Sequence, residues 1–169
     1  MSKPFPRRLY RGVGEFWADF RYIMGNRPTL KVAMRGDLIS VQFRERLMLM
    51  VTEVNGCRYC SYYHAQEALK AGISEAELES LLAGCLPEQA PRDELPALLY
   101  AQHWAESNTH PDPEILQKFE ATYGPEKSAA IHLILRMIRV GNLSGNLWDF
   151  ILYRISFGRW GLLKSELAR

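Results

Sequence analysis

Glu45, Cys57, Cys60 and His64 are the residues whose types and spacing add up to a chemistry. Cys57 and Cys60 form a C-x-x-C directly behind Asn55-Gly56, a dipeptide that ends a helix, so both fall in the first turn of the next one. Unpaired backbone N–H groups and the helix dipole favour an anion there. A free thiol titrates near ~8.5, and a C-x-x-C at a helix N-terminus can fall to ~7 or below. His64 stands four residues after Cys60, on the same helix face one turn further on. Its imidazole can take the thiol proton or, once charged, hold the thiolate. Glu45 lies twelve residues before Cys57 on the preceding helix, where a carboxylate facing the motif would accept a proton directly or through one water. Taken alone, Glu45 reads as a solvated helix residue between Arg44 and Arg46. A second chemistry fits the same residues: C-x-x-C-x-x-x-H supplies three zinc ligands, with Cys85 or Glu45 as a fourth. Three ligands on one helix make a poor tetrahedron, and the chain has no second C-x-x-C or C-x-x-H.

The elements that must position these residues are helical nearly throughout, and the expected fold class is all-α. Val13, Phe16, Trp17, Phe20, Ile23 and Met24 follow helical spacing over 12–25. After Asn26 and Pro28, a short helix is expected over 29–34, ending at Arg35-Gly36-Asp37. From Val41 an apolar face resumes and stops at Asn55-Gly56, where Gly56 can take positive φ. The motif helix runs from about Cys57 to Ala71 and ends at Gly72. Ser74 and Glu77 form a capping box for a short helix to Leu82, and Pro87 and Pro91 mark a loop. Asp93 reads as the N-cap of a helix to about Ser107, and Asp112-Pro113 opens another that closes near Gly124. Ser128 to Val140 is apolar nearly all round and reads as a central buried helix. A break over Gly141 to Gly145 precedes a last helix carrying Leu147, Trp148, Phe150, Ile151 and Ile155.

The 169 residues fit one domain, 1–169, with no repeat or composition shift to divide it. With 47% hydrophobic residues and a net charge of +2, neither general disorder nor an obligate polyanionic partner is implied. No apolar run approaches the ~18 residues of a membrane span, no signal-peptide pattern opens the chain, and three cysteines suit a reducing compartment. The expectation is a cytoplasmic protein with no membrane or nucleic-acid partner and no cofactor. Lys3, Arg7, Arg8 and Arg11 read as a solvated arm, and Cys85 as a small buried apolar residue. His103 reads as packed or solvent-facing, and His132 as a satisfied core or subunit-contact histidine. Tyr59, Tyr62 and Tyr63 read as packing residues, with Tyr59 placed to shield a sulfur. Asn142-Leu143-Ser144 matches a glycosylation sequon with nothing to indicate secretion.

The run from Arg44 to His64, R-E-R-L-M-L-M-V-T-E-V-N-G-C-R-Y-C-S-Y-Y-H, resembles the core of the alkylhydroperoxidase D and carboxymuconolactone decarboxylase superfamily. Its E-x(11)-C-x-x-C-x-x-x-H pattern maps onto Glu45, Cys57, Cys60 and His64, and Ala65 to Ser74 looks like the continuation. The motif core spans about 36–84, with a weaker echo in the G-N-x-x-G-N-x-W-D run after Gly141. The resemblance implies an all-helical fold assembling as a homo-oligomer, commonly a trimer or hexamer. It implies a dithiol–disulfide cycle that reduces hydroperoxides, with Glu45 and His64 as a proton relay. A lipoylated or other dithiol protein would be the reductant, and a peroxiredoxin a downstream partner. Tyr59 stands where alkylhydroperoxidase D has a second His, which shortens the relay. The decarboxylase branch lacks the cysteine pair, so decarboxylation is disfavoured. Cys60, sharing a face with His64, is the expected reactive thiol and Cys57 its resolving partner, with the mirror assignment open. The rival from another class is a zinc-stabilised helical interaction module without catalysis.

Overall fold

The computed structural model describes residues 4–36 and 38–167; Lys3 of the basic arm and Asp37 of the expected break lie outside them. The described residues form helices and no strand: α1 (Val13–Gly25), α2 (Arg27–Arg35), α3 (Val41–Asn55), α4 (Arg58–Lys70), α5 (Glu75–Leu82), α6 (Leu95–Glu106), α7 (Pro113–Ile155) and α8 (Lys164–Leu167).

Local chemistry sets most of these boundaries. Ser40 Oγ accepts from the Phe43 N–H and starts α3, and Gly56 at φ 74° ends it. α5 ends in a paired Schellman turn, with Gly84 N–H bonded to the Leu81 carbonyl and Cys85 N–H to that of Ser80. That turn points Cys85 outward, so it is exposed rather than a buried apolar residue. Ser74 caps α5 through the Glu77 N–H as expected. The Glu77 side chain does not complete the box, because it turns inward to Arg46 at 2.5 Å. The N-cap of α6 is Glu94, not Asp93.

α3 is the most enclosed element, burying Phe43, every residue from Glu45 to Thr52, and Asn55. It packs against α4, α5, α6 and α7, so polar side chains on it must find partners inside the protein. Arg46 pairs with Glu77 and Glu94. α7 breaks at Gly124 (φ 71°, ψ 171°) and continues from Pro125 as a second, straight-through arm. That arm contradicts the expected interruption over Gly141 to Gly145: both glycines are helical. They are small because the cysteines lie against them. A methyl on Gly145 would stand 2.8 Å from Cys57 Sγ, and one on Gly141 3.8 Å from Cys60 Sγ.

Candidate active site

Cys57 is the N-cap of α4, one position before the first turn in which it was expected, and Cys60 is the third residue of the helix. Cys57 Sγ accepts from the Cys60 N–H at 3.5 Å, as a capping oxygen would. The two sulfurs lie 3.0 Å apart. Cys57 is 1% exposed, whereas Cys60 is partly open. The hydrogen bond from Cys60 is the largest influence lowering the Cys57 pKa, which falls from 9.0 to about 6. Burial opposes the fall; the N–H groups of Cys60 and Tyr59 and the charge of Arg7 add to it. Cys60 moves the other way, pushed far up by the same bond and by burial. The two shifts favour the negative charge at Cys57 over Cys60.

Glu45 is not a solvated residue: at 3% exposure it faces inward from α3. Its Oε2 lies 2.7 Å from His64 Nδ1, and its Oε1 accepts from Arg44 Nε at 3.3 Å. With Nδ1–H donating to the carboxylate, the imidazole lone pair sits on Nε2. Glu45, Cys60 and His64 line one cavity of about 300 Å³, whose other walls include Met34, Met48, Met137 and Gly141. All four residues singled out from the sequence thus meet where α3, α4 and the second arm of α7 pack together. Among the described residues no group of three or more His, Cys, Asp or Glu side chains is arranged to hold a metal ion.

Sequence reasoning missed what the second arm of α7 contributes. Asn142 accepts from Asn55 Nδ2 and donates to Thr52 Oγ1, and Asn146 donates to the Asn55 carbonyl at 2.7 Å, which fixes the end of α3 just before Cys57. Asn142 is fully buried, so the sequon it opens is closed to a glycan. Asp149, also fully buried, accepts from Arg58 (2.7 Å) and from the Tyr59 hydroxyl (2.8 Å) and is ion-paired with Arg7. The available signal was the repeated Gly-Asn at four-residue spacing, which puts two glycines and two amides along one helix side. Tyr59 is thus anchored beside the pair, while Tyr62 projects outward and Tyr63 lines the cavity edge-on to His64. Nor are Arg7 and Arg8 a solvated arm. Arg7 is 8% exposed and ion-paired, and Arg8 Nη1 donates to the Ala105 carbonyl at 2.5 Å. His132 is half-buried rather than in the core, its Nε2 3.0 Å from the Tyr100 hydroxyl. His103 Nε2 accepts from the Asp112 N–H at the start of α7.

An all-helical protein with a close cysteine pair at a helix start, backed by a Glu–His pair, is the class the geometry defines. Residues 28–106 match the model of the carboxymuconolactone decarboxylase family. That stretch contains Glu45, Cys57, Cys60 and His64, and the match supports the likeness to the alkylhydroperoxidase D-like and carboxymuconolactone decarboxylase superfamily. No curated protein and no solved structure matches the chain significantly.

Proposed function

We propose that this protein is a dithiol oxidoreductase of the alkylhydroperoxidase D type, cycling Cys57 and Cys60 between dithiol and disulfide. The observation that carries the reading is the close sulfur pair, 3.0 Å apart, with Cys60 opening into the cavity that Glu45 and His64 line. The Cys60 proton passes to His64 Nε2, directly or through one water, only as the S–O bond forms, so that two thiolates never stand side by side, and Glu45 steadies the imidazolium. The Cys60 sulfur attacks the hydroperoxide; the O–O bond breaks, and the departing alkoxide takes the proton from His64 and leaves as an alcohol. Cys57, already a thiolate, attacks the resulting sulfenic acid, closes the disulfide and expels hydroxide, which is protonated to water. Two thiols and one hydroperoxide thus give one disulfide, one alcohol and one water. A second dithiol returns the two electrons, or the reduced pair passes them to a peroxiredoxin disulfide. An ordinary thiol at pH 7 is only a few per cent thiolate, so a resolving sulfur with a pKa about 6 is poised where an unaided one is not.

Mild peroxide followed by mass spectrometry tests the reading: two hydrogens should be lost, and the cross-link should join Cys57 to Cys60. Cys57→Ser should leave a sulfenic acid on Cys60 that a dione reagent traps, and Cys60→Ser should abolish turnover with an artificial dithiol. Sulfenic acid on Cys57 in the Cys60→Ser protein would exchange the two roles. A cross-link to Cys85 would discard the pair.

A further inference from the structure

α6 carries more apolar surface than the core takes from it. It buries Ala97, Leu98, Ala101, Trp104 and Ala105, yet Leu99 is 52% exposed. The first arm of α7 runs back alongside it and leaves Ile115 38% exposed. The two segments are tied at both ends. The Tyr123 hydroxyl donates to the Asp93 carbonyl at 2.6 Å and accepts from the Ala97 N–H at 3.1 Å, and the Asp112 N–H donates to His103 Nε2 at 3.2 Å. Between the segments lies a trough of about 550 Å³, within the roughly 300–1,000 Å³ of small-molecule sites. The buried Tyr100 and Phe119, stacked with ring centroids 3.9 Å apart, form its floor, and Leu95, Leu99 and Ile115 line it above them. Arg92, just before α6, and Lys118 on α7 line it too. Among the described residues neither cation is ion-paired, and no Asp or Glu lines the trough. None of its residues belongs to the cavity of Glu45, Cys60 and His64.

We propose that this trough binds a free fatty carboxylate, with the alkyl chain on the Tyr100–Phe119 floor between Leu99 and Ile115 and the carboxylate held by Arg92 and Lys118. An alkyl chain lying there takes Leu99 and Ile115 out of water, which favours binding in proportion to the apolar area covered. Charge selects the head group. Two cations and no anion around an apolar trough make it electropositive, so an anionic amphiphile is preferred to a neutral one. Arginine can grip a carboxylate through two parallel N–H bonds, and lysine adds a point charge. The ties at both ends keep the trough short, which suits one flexible chain better than a partner helix running through a groove. The site is separate from the cysteines and the proposal does not depend on the dithiol reading.

Calorimetric titration of the full chain with hexanoate, octanoate and decanoate, each below its micelle concentration, tests the site. One equivalent per chain should bind, tightening roughly two- to fourfold for each added methylene. Octanol, with the same chain and no charge, should bind more weakly than octanoate. Arg92→Gln with Lys118→Gln should weaken octanoate about tenfold, the loss expected of a charge-assisted contact, and leave octanol unchanged. Leu99→Glu places an anion in the trough at an exposed helix position and should abolish carboxylate binding; Ile115→Glu repeats the test from the facing segment. An affinity indifferent to chain length overturns the proposal, as does binding that survives both glutamates, or a decanoate dissociation constant above about 1 mM. If decanoate does not bind and Leu99→Glu reduces the particle size in light scattering, a second copy of the chain covers the trough and the proposal falls. Binding is read without peroxide, so a failure of the dithiol reaction leaves this result untouched.

Discussion

Glu45 is buried, with a histidine on one oxygen and an arginine on the other. Glu45→Gln keeps its shape and an acceptor while removing the base. Turnover is expected to fall ~10²–10⁴-fold, with a loss of only about 1 kcal/mol in denaturant stability. Thiol alkylation should slow near neutral pH and recover as hydroxide takes over; an unchanged pH profile with unchanged turnover would remove Glu45 from the relay. The four residues of the candidate site were legible because each sits at a fixed offset from its neighbours along the chain. Arg7 was not: it meets carboxylates 142 and 159 residues away, and nothing in its local sequence distinguishes it from a solvated cation.

At the scale of elements, helix starts and stops were readable wherever one residue's own backbone chemistry decides them, as at Gly56, Ser74 and Pro113. The second arm of α7 was misread because glycine carries two meanings. It breaks a helix by propensity, and it permits close approach when a neighbour requires it. Only the packing of α4 on α7 tells which applies, and this yields a paired prediction. Gly141→Ala adds a methyl at ordinary contact distance, 3.8 Å from Cys60 Sγ, and should stabilise the protein by roughly 0.5–1 kcal/mol through helix propensity. Gly145→Ala meets Cys57 Sγ at 2.8 Å and should instead cost about 1–3 kcal/mol and slow disulfide closure. Urea midpoints and the rate of peroxide-driven disulfide formation check both; two stabilising alanines would show that the contact is slack.

Over the whole molecule, the second arm of α7 turns its polar Asn142, Asn146 and Asp149 inward and leaves Leu147, Trp148, Ile151 and Ile155 exposed, continued by Phe157 and Trp160. A helix with its apolar stripe facing out is built to be covered, and a second copy of the chain is the occupant we expect. Light scattering at micromolar concentration should give a particle larger than 19.5 kDa. Trp148→Glu with Ile155→Glu should reduce its size; a monomer in the unaltered protein would retire the expectation. No described helix is long and apolar enough to cross a membrane. His132 gives the fold an acid sensitivity of its own. Burial, helped by Arg136, lowers the His132 pKa from 6.5 to about 4. The unfolded chain therefore binds a proton below pH 6.5 that the folded one refuses until about pH 4. Stability should fall by about 1.4 kcal/mol per pH unit through that window as pH drops. Urea titrations between pH 7 and 5 should show this slope, and His132→Gln should flatten it.

Because Cys57 is itself the cap of α4, oxidation has a mechanical side. When its sulfur is drawn into a disulfide it stops being an anion, and the N–H groups of Tyr59 and Cys60 lose the charge they were solvating. The reduced protein should thus hold its first turn more tightly than the disulfide form proposed above, and amide exchange at Tyr59 and Cys60 should quicken on oxidation. The same preference has a voltage. Relative to an unperturbed thiol, the stabilised thiolate favours the reduced form by on the order of 1 kcal/mol at pH 7, or roughly tens of millivolts for a two-electron couple. That advantage vanishes as pH falls below about 6, where Cys57 is protonated like any other thiol. Acid should therefore erase what distinguishes this couple from an ordinary dithiol.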